Sequence, residues 1–157
     1  MESENQNIIL KTKDLSIGYT SKKGKTIVAS NINIALKKGS LVGLIGANGI
    51  GKSTLLRTLT NVQNALSGKV LINDTDFLKY APIDLAKVMS LVLTEPLASK
   101  NLSVLDLVAL GRQPYTNWVG NLSQNDIEIV NTALEQTNIT DLKHKKCFEL
   151  SDGQLQK

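Results

Sequence analysis

Apolar and polar positions alternate in part along IILKTKDLSIGY (8–19), which predicts a first strand. KTIVAS (25–30) and INIALK (32–37) follow as short strands, with Gly24 and Gly39 as turn residues. SLVGLIG (40–46) abandons the alternation for a continuous apolar run. That pattern predicts a strand buried on both faces, as in a parallel sheet flanked by helices. A helix is expected from Lys52 to about Asn61, and SGKVLIND (67–74) reads as a strand that ends in a turn. APIDLAKVM (81–89) predicts a helix with Pro82 at its first position, and SLVLTE (90–95) returns to strand.

The pattern changes after Pro96. SVLDLVALG (103–111) sets Ser103 and Asp106 at capping-box spacing, with Gly111 at the helix end. SQNDIEIVNTALEQT (123–137) repeats that spacing with Ser123 and Asp126, and Ile127, Val130 and Leu134 predict one apolar stripe. Residues from about 97 to 149 therefore read as a helical insert on an α/β body. In LSDGQLQK (150–157), Ser151 and Asp152 are helix-capping residues and Gln154 takes the capping-box place, which predicts one more helix start.

Composition narrows the class. With 41% hydrophobic and 20% charged residues, the 157-residue chain reads as globular. A net charge of +4 suits an anionic ligand, but no long basic run or aromatic–basic interleaving points to nucleic acid. KKGK (22–25) and KHKK (143–146) read as solvated loop charges. One cysteine, Cys147, excludes an intrachain disulfide and is expected as a small buried or half-buried apolar residue. MESENQNIIL is unlike a signal peptide, and no apolar run approaches the roughly 20 residues of a membrane helix, so a cytosolic chain is expected.

GANGIGKST (46–54) fits G-x-x-x-x-G-K-[ST], between a predicted strand and a predicted helix. Glycines let a backbone wrap closely around phosphate, and its N–H groups form an anion nest beside a positive helix end. Gly46, Ala47, Asn48, Gly49, Ile50 and Gly51 are the expected cradle. Lys52 is expected on the β- and γ-phosphates, Ser53 on Mg²⁺ and Thr54 on the α-phosphate region. The alternative is a glycine-rich turn that holds nothing. Tyr19, ahead of this loop, offers a flat ring for an adenine; the alternative there is an ordinary strand residue.

Together GANGIGKST, DLSIGY and LSDGQ resemble the nucleotide-binding subunits of ATP-binding cassette (ABC) transporters. LSDGQ is similar to the family's LSGGQ signature, and DLSIGY to its adenine-stacking segment. LVALGRQPYTNWVGNLSQND and ALEQTNITDL…ELSDGQ are similar to the ATPases that power ferric-siderophore, haem and cobalamin import. The resemblance runs from about residue 8 to the last residue. It implies an α/β P-loop NTPase with an N-terminal antiparallel β portion and a helical insert. Residues 1–96 would be the N-terminal part of the ATPase core and 97–157 the insert ending in the signature, with the C-terminal half of the core missing. It also implies ATP and Mg²⁺ as cofactors, a second copy of the subunit in a head-to-tail dimer, and a transmembrane permease as partner. Leu150, Ser151, Asp152, Gly153 and Gln154 would then contact the partner's ATP, from the inner face of the cell membrane.

Several positions depart from the family's pattern. Thr94 stands where a glutamine that helps hold Mg²⁺ and the attacking water is usual, with Glu95 next; Thr94 is a possible metal ligand, and the alternatives are that Glu95 takes the role or that neither does. Asp152 replaces a glycine of the signature, and Leu155 an arginine. The family's Mg²⁺-binding Asp, water-polarising Glu and γ-phosphate His follow the signature, and these 157 residues carry none there; His144 precedes it. No catalytic residue is therefore expected in this chain, which reads as a hydrolysis-deficient fragment. A P-loop kinase, a non-transport cassette of the iron–sulfur assembly or repair type, and an inactive truncated product are the other readings.

Overall fold

The structure is a computed structural model and describes residues 7–22, 24–92 and 101–155. The chain divides into two compact units, Met1–Leu91 and Val92–Lys157. Thr94 and Glu95 lie outside the described residues.

The first unit is organised by β1 (Ile8–Ser21), which pairs antiparallel with β2 (Gly24–Ile32), β3 (Ala35–Lys37) and β4 (Ser67–Ile72). The 14-residue β1 serves three partners by breaking register between Leu15 and Gly18 against β2, and between Lys13 and Ser16 against β4. β4 turns into β5 (Thr75–Asp76) through Asn73 and Asp74, whose φ angles of 48° and 63° suit a two-residue hairpin. Leu15 and Ile17 of β1, Val70 and Ile72 of β4, Phe77 and Leu85 share one core with Leu59. Leu59 ends α1 (Lys52–Leu59), which buries Thr54, Thr58 and Leu59. Thr58 is fully buried because its hydroxyl donates to Thr54 O at 2.8 Å, which satisfies the only polar atom it brings inside. α2 (Pro82–Val88) starts with Pro82, as its pattern predicts, and buries Leu85.

The apolar run 40–46 does not behave as its pattern predicts. No strand forms there, and Leu41 and Ile45 are 101% and 96% exposed. An interior parallel strand obtains its ladder and its cover from segments distant in the chain. Every described pairing is antiparallel, and none reaches 40–46. The pattern records the environment these residues suit rather than the one they have here. Residues 90–92 are likewise irregular rather than strand, and the rest of SLVLTE lies outside the described residues.

The second unit holds α3 (Val104–Leu110), α4 (Gln124–Gln136) and the single turn α5 (Asp152–Leu155). Reciprocal capping boxes start two of them, Ser103 with Asp106 and Ser123 with Asp126, as the spacing predicts. Val104, Val130, Leu134 and Ile139 form the core, and Cys147 is buried. Gly111 ends α3 in a right-handed conformation (φ −61°), so no left-handed cap is used. The inward row of α4 is Asp126, Val130 and Leu134, and Ile127 is 41% exposed, which corrects the predicted stripe. The reason is Arg112, whose Nε donates to Asp126 Oδ1 at 2.8 Å and whose Nη2 lies 2.8 Å from the same oxygen. That pairing turns position 126 inward and carries the row four and eight residues on with it. The Ser123 hydroxyl and backbone N–H, with Arg112, hold the Asp126 carboxyl below its ordinary range. Arg112 also stacks over Tyr115, 3.9 Å from the ring centroid.

Candidate functional site

Residues 46–54 lead into the first turn of α1. Gly51 occupies the cap position with φ 107° and ψ 11°, a conformation L-residues rarely adopt. No side chain caps the helix and no acid lies in its first turn, in contrast to the serine-capped α3 and α4. Its first-turn N–H groups therefore face an anion-favouring end with no built-in acceptor. Gly49, at φ 81°, adds a second left-handed residue to the loop, and Ala47, Asn48 and Ile50 are exposed along it.

Lys52 Nζ donates to Gly46 O at 2.7 Å and to Ala47 O at 2.8 Å. One cation thereby draws the start of the loop over the start of the helix. Ser53 is exposed at the second helical position, while Thr54 is buried. The Tyr19 hydroxyl and Thr54 Oγ1 are hydrogen-bonded at 2.9 Å, which sets the half-exposed tyrosine beside the start of α1. Gln63 Nε2 donates to Gly18 O at 2.5 Å, which ties the same stretch of β1 to the region following α1. Sequence reasoning named Tyr19 and Thr54 separately and missed Gln63, because a bond of sequence separation 45 leaves no local pattern.

Gly51 also fills a packing role. A Cβ there would lie 2.4 Å from Val28 Cγ1, in addition to the strain of its φ. Gly51→Ala is expected to destabilise the chain by about 2–5 kcal/mol, the sum of backbone strain and overpacking. Gly43→Ala meets nothing within 4 Å and is expected to shift the urea midpoint little. Similar midpoints for the two variants would show that the loop is not packed against β2.

In the second unit, Ser151 N donates to Gln154 Oε1 at 3.0 Å and Ser151 Oγ accepts from Gln154 N at 3.3 Å. The Asp152–Leu155 turn is thus reciprocally capped, with Ser151, Asp152 and Gly153 exposed and Leu150 and Gln154 half-buried. A Cβ on Gly153 would meet nothing within 4 Å, so the space beside its Cα is open. The set Leu150–Gln154 presents a hydroxyl and an uncrowded backbone at a helix start, which suits an anion.

The profile of the ABC transporter family matches residues 29–157. The chain belongs to the ABC transporter ATP-binding family. It is 40% identical over 149 residues to an uncharacterised ABC transporter ATP-binding protein of Methanocaldococcus jannaschii, covering 95% of this chain and 50% of that relative. It is 35% identical to an iron(3+)-hydroxamate import ATP-binding protein of Bacillus subtilis (94% and 54% covered) and 33% identical to a ferric enterobactin transport ATP-binding protein of Escherichia coli (94% and 53%). Among solved structures, a metal-chelate type ABC transporter in an inward-facing conformation superimposes with a TM-score of 0.73 at 27% identity, covering 96% of this chain and 52% of that one. A nucleotide-free ATP-binding cassette does so with a TM-score of 0.75 at 25% identity, covering 94% and 61%. The ABC ATPase fold is therefore shared, and the chain spans about half the length of the curated relatives it matches. Among the described residues, no helix is long and apolar enough to cross a membrane.

Proposed function

We propose that the chain is the ATP-binding part of a cassette subunit that powers import of an iron–siderophore or a related complex such as haem or cobalamin. The observation that carries ATP binding is the uncapped, glycine-started α1 with Lys52 folded over its loop. Backbone N–H groups and a cation converge there with no internal acid to neutralise them. The import class is supported by the hydroxamate and enterobactin relatives named above.

In this reading, residues 46–51 wrap the phosphates, Lys52 pairs with the β- and γ-phosphates, and Thr54 faces the α-phosphate side. Mg²⁺ fits the site by the chemistry of one exposed hard oxygen, Ser53. Among the described residues no group of three His, Cys, Asp or Glu exists to hold it, so nucleotide and water would complete its shell. The ion would supply charge neutralisation of the phosphates. Thr94 remains a candidate second ligand. Leu150–Gln154 would complete the site of a second copy arranged head to tail, and a transmembrane permease would hold the pair at the inner face of the membrane.

Tyr19 tests the adenine side. Tyr19→Ala is expected to weaken ATP by about tenfold, one lost base–aromatic stack, while leaving inorganic tripolyphosphate less affected. Equal losses by calorimetry would show that the ring does not face a base. The import assignment is tested by disrupting the gene: uptake of radiolabelled iron–siderophore should fall to background. Unchanged uptake, with Lys52-dependent ATP binding retained, would favour a non-transport cassette.

A further inference from the structure

Tyr19 is tied to α1 at both ends of that helix. Its hydroxyl is hydrogen-bonded to Thr54 Oγ1, in the first turn, at 2.9 Å. Its backbone is held from beyond the last turn. The Gly18 carbonyl shares one rigid peptide plane with the Tyr19 N–H, and it accepts from Gln63 Nε2 at 2.5 Å. Gln63 is placed in turn by the way α1 ends. Asn61 is left-handed at φ 60°, its N–H donates to Thr58 O at 3.2 Å, and the Val62 N–H donates to Arg57 O at 2.9 Å. That pair of bonds closes a helix and fixes the path of the chain leaving it. The Gln63 N–H donates to the same Arg57 carbonyl at 3.1 Å, so its half-buried side chain starts from backbone tied to the helix.

The peptide that Gln63 holds is one the sheet holds poorly. The β1–β2 register shifts between Ile17 and Gly18, directly ahead of Tyr19. Gly18 has no side chain to pack, and a Cβ there would overlap Thr26 O. The Tyr19 ring is 52% exposed, so packing covers only half of it. We propose that Gln63 is a positioning residue for the adenine base: through the Gly18 carbonyl it fixes the angle at which Tyr19 offers its ring. A nucleotide joins base and phosphates covalently, so it gains from both contacts only when ring and loop keep a fixed separation. With Thr54 and Gln63 both set by α1, the ring would be held to the helix that the loop at 46–51 enters. A platform ordered beforehand spares the ligand that cost. This inference rests on the cassette reading and on Tyr19 as the base platform.

The test is a calorimetric cycle of Gln63→Met and Tyr19→Ala, with ATP and inorganic tripolyphosphate as probes. Methionine keeps the length of the side chain and removes the donor without adding charge. Gln63→Met is expected to weaken ATP about three- to fivefold and to leave tripolyphosphate within about twofold. In the Tyr19→Ala background the same change should cost ATP nothing further, because Gln63 acts through that ring. Equal losses for both probes would overturn the proposal, since Gln63 then only supports the loop or the fold. A full additional loss in the Tyr19→Ala background overturns it too, because Gln63 then acts without the ring. If the methionine variant does not fold, Gln63→Glu replaces it, keeping shape and polarity while losing the donor. Lys52-dependent ATP binding by the unaltered chain is measured in parallel. Its absence removes the cassette reading and this proposal with it, whereas its presence with an unchanged ATP-to-tripolyphosphate ratio in Gln63→Met removes the positioning role alone.

Discussion

Lys52→Ala is expected to lower ATP affinity by at least about a hundredfold, because charge-assisted hydrogen bonds to phosphate contribute about 1.5–3 kcal/mol each. The structure adds a second loss. Nζ of Lys52 holds Gly46 O and Ala47 O, so its removal also frees the loop that must present N–H groups to the ligand. Lys52 is only partly buried and belongs to no core cluster, so the variant should fold with an unchanged far-ultraviolet spectrum. Calorimetric titration of ATP into both proteins decides the matter. Equal affinity would mean that the loop is only a turn.

The larger effect concerns hydrolysis. The 157-residue polypeptide by itself is expected to release no phosphate from Mg-ATP above the Lys52→Ala background. Phosphoryl transfer depends on positioning and on charge stabilisation around the attacking water and the γ-phosphate. In the function proposed above, Lys52 and Ser53 would hold phosphate and one side of Mg²⁺, and Ser151 with Gly153 would face a partner's nucleotide. The described residues contain no cluster of carboxylates or histidines able to hold a metal. Loss of several such groups together costs many orders of magnitude in rate, since each contributes tenfold or more. Turnover that disappears in Lys52→Ala would contradict this account. Glu95→Gln would then identify whether that carboxylate serves as base.

The local elements follow from the sequence alone. The Ser-x-x-Asp spacings at 103 and 123 determine where α3 and α4 begin, because each cap is closed by atoms three residues apart. Pro82 sets the start of α2, and Asn73-Asp74 sets the β4–β5 turn, for the same local reason. The candidate phosphate loop at 46–54 was legible because glycine spacing and the following Lys-Ser are a contiguous pattern. Distant partners decided the rest. Tyr19 meets Thr54 across 35 positions, and Arg112 turns Asp126 rather than Ile127 inward across 14. A Val28 methyl group makes Gly51 a packing requirement as well as a backbone one. Hydrophobic pattern states what environment a segment suits, and it does so from side-chain chemistry alone. Whether the segment obtains that environment depends on strands brought from elsewhere, and at 40–46 the described residues bring none.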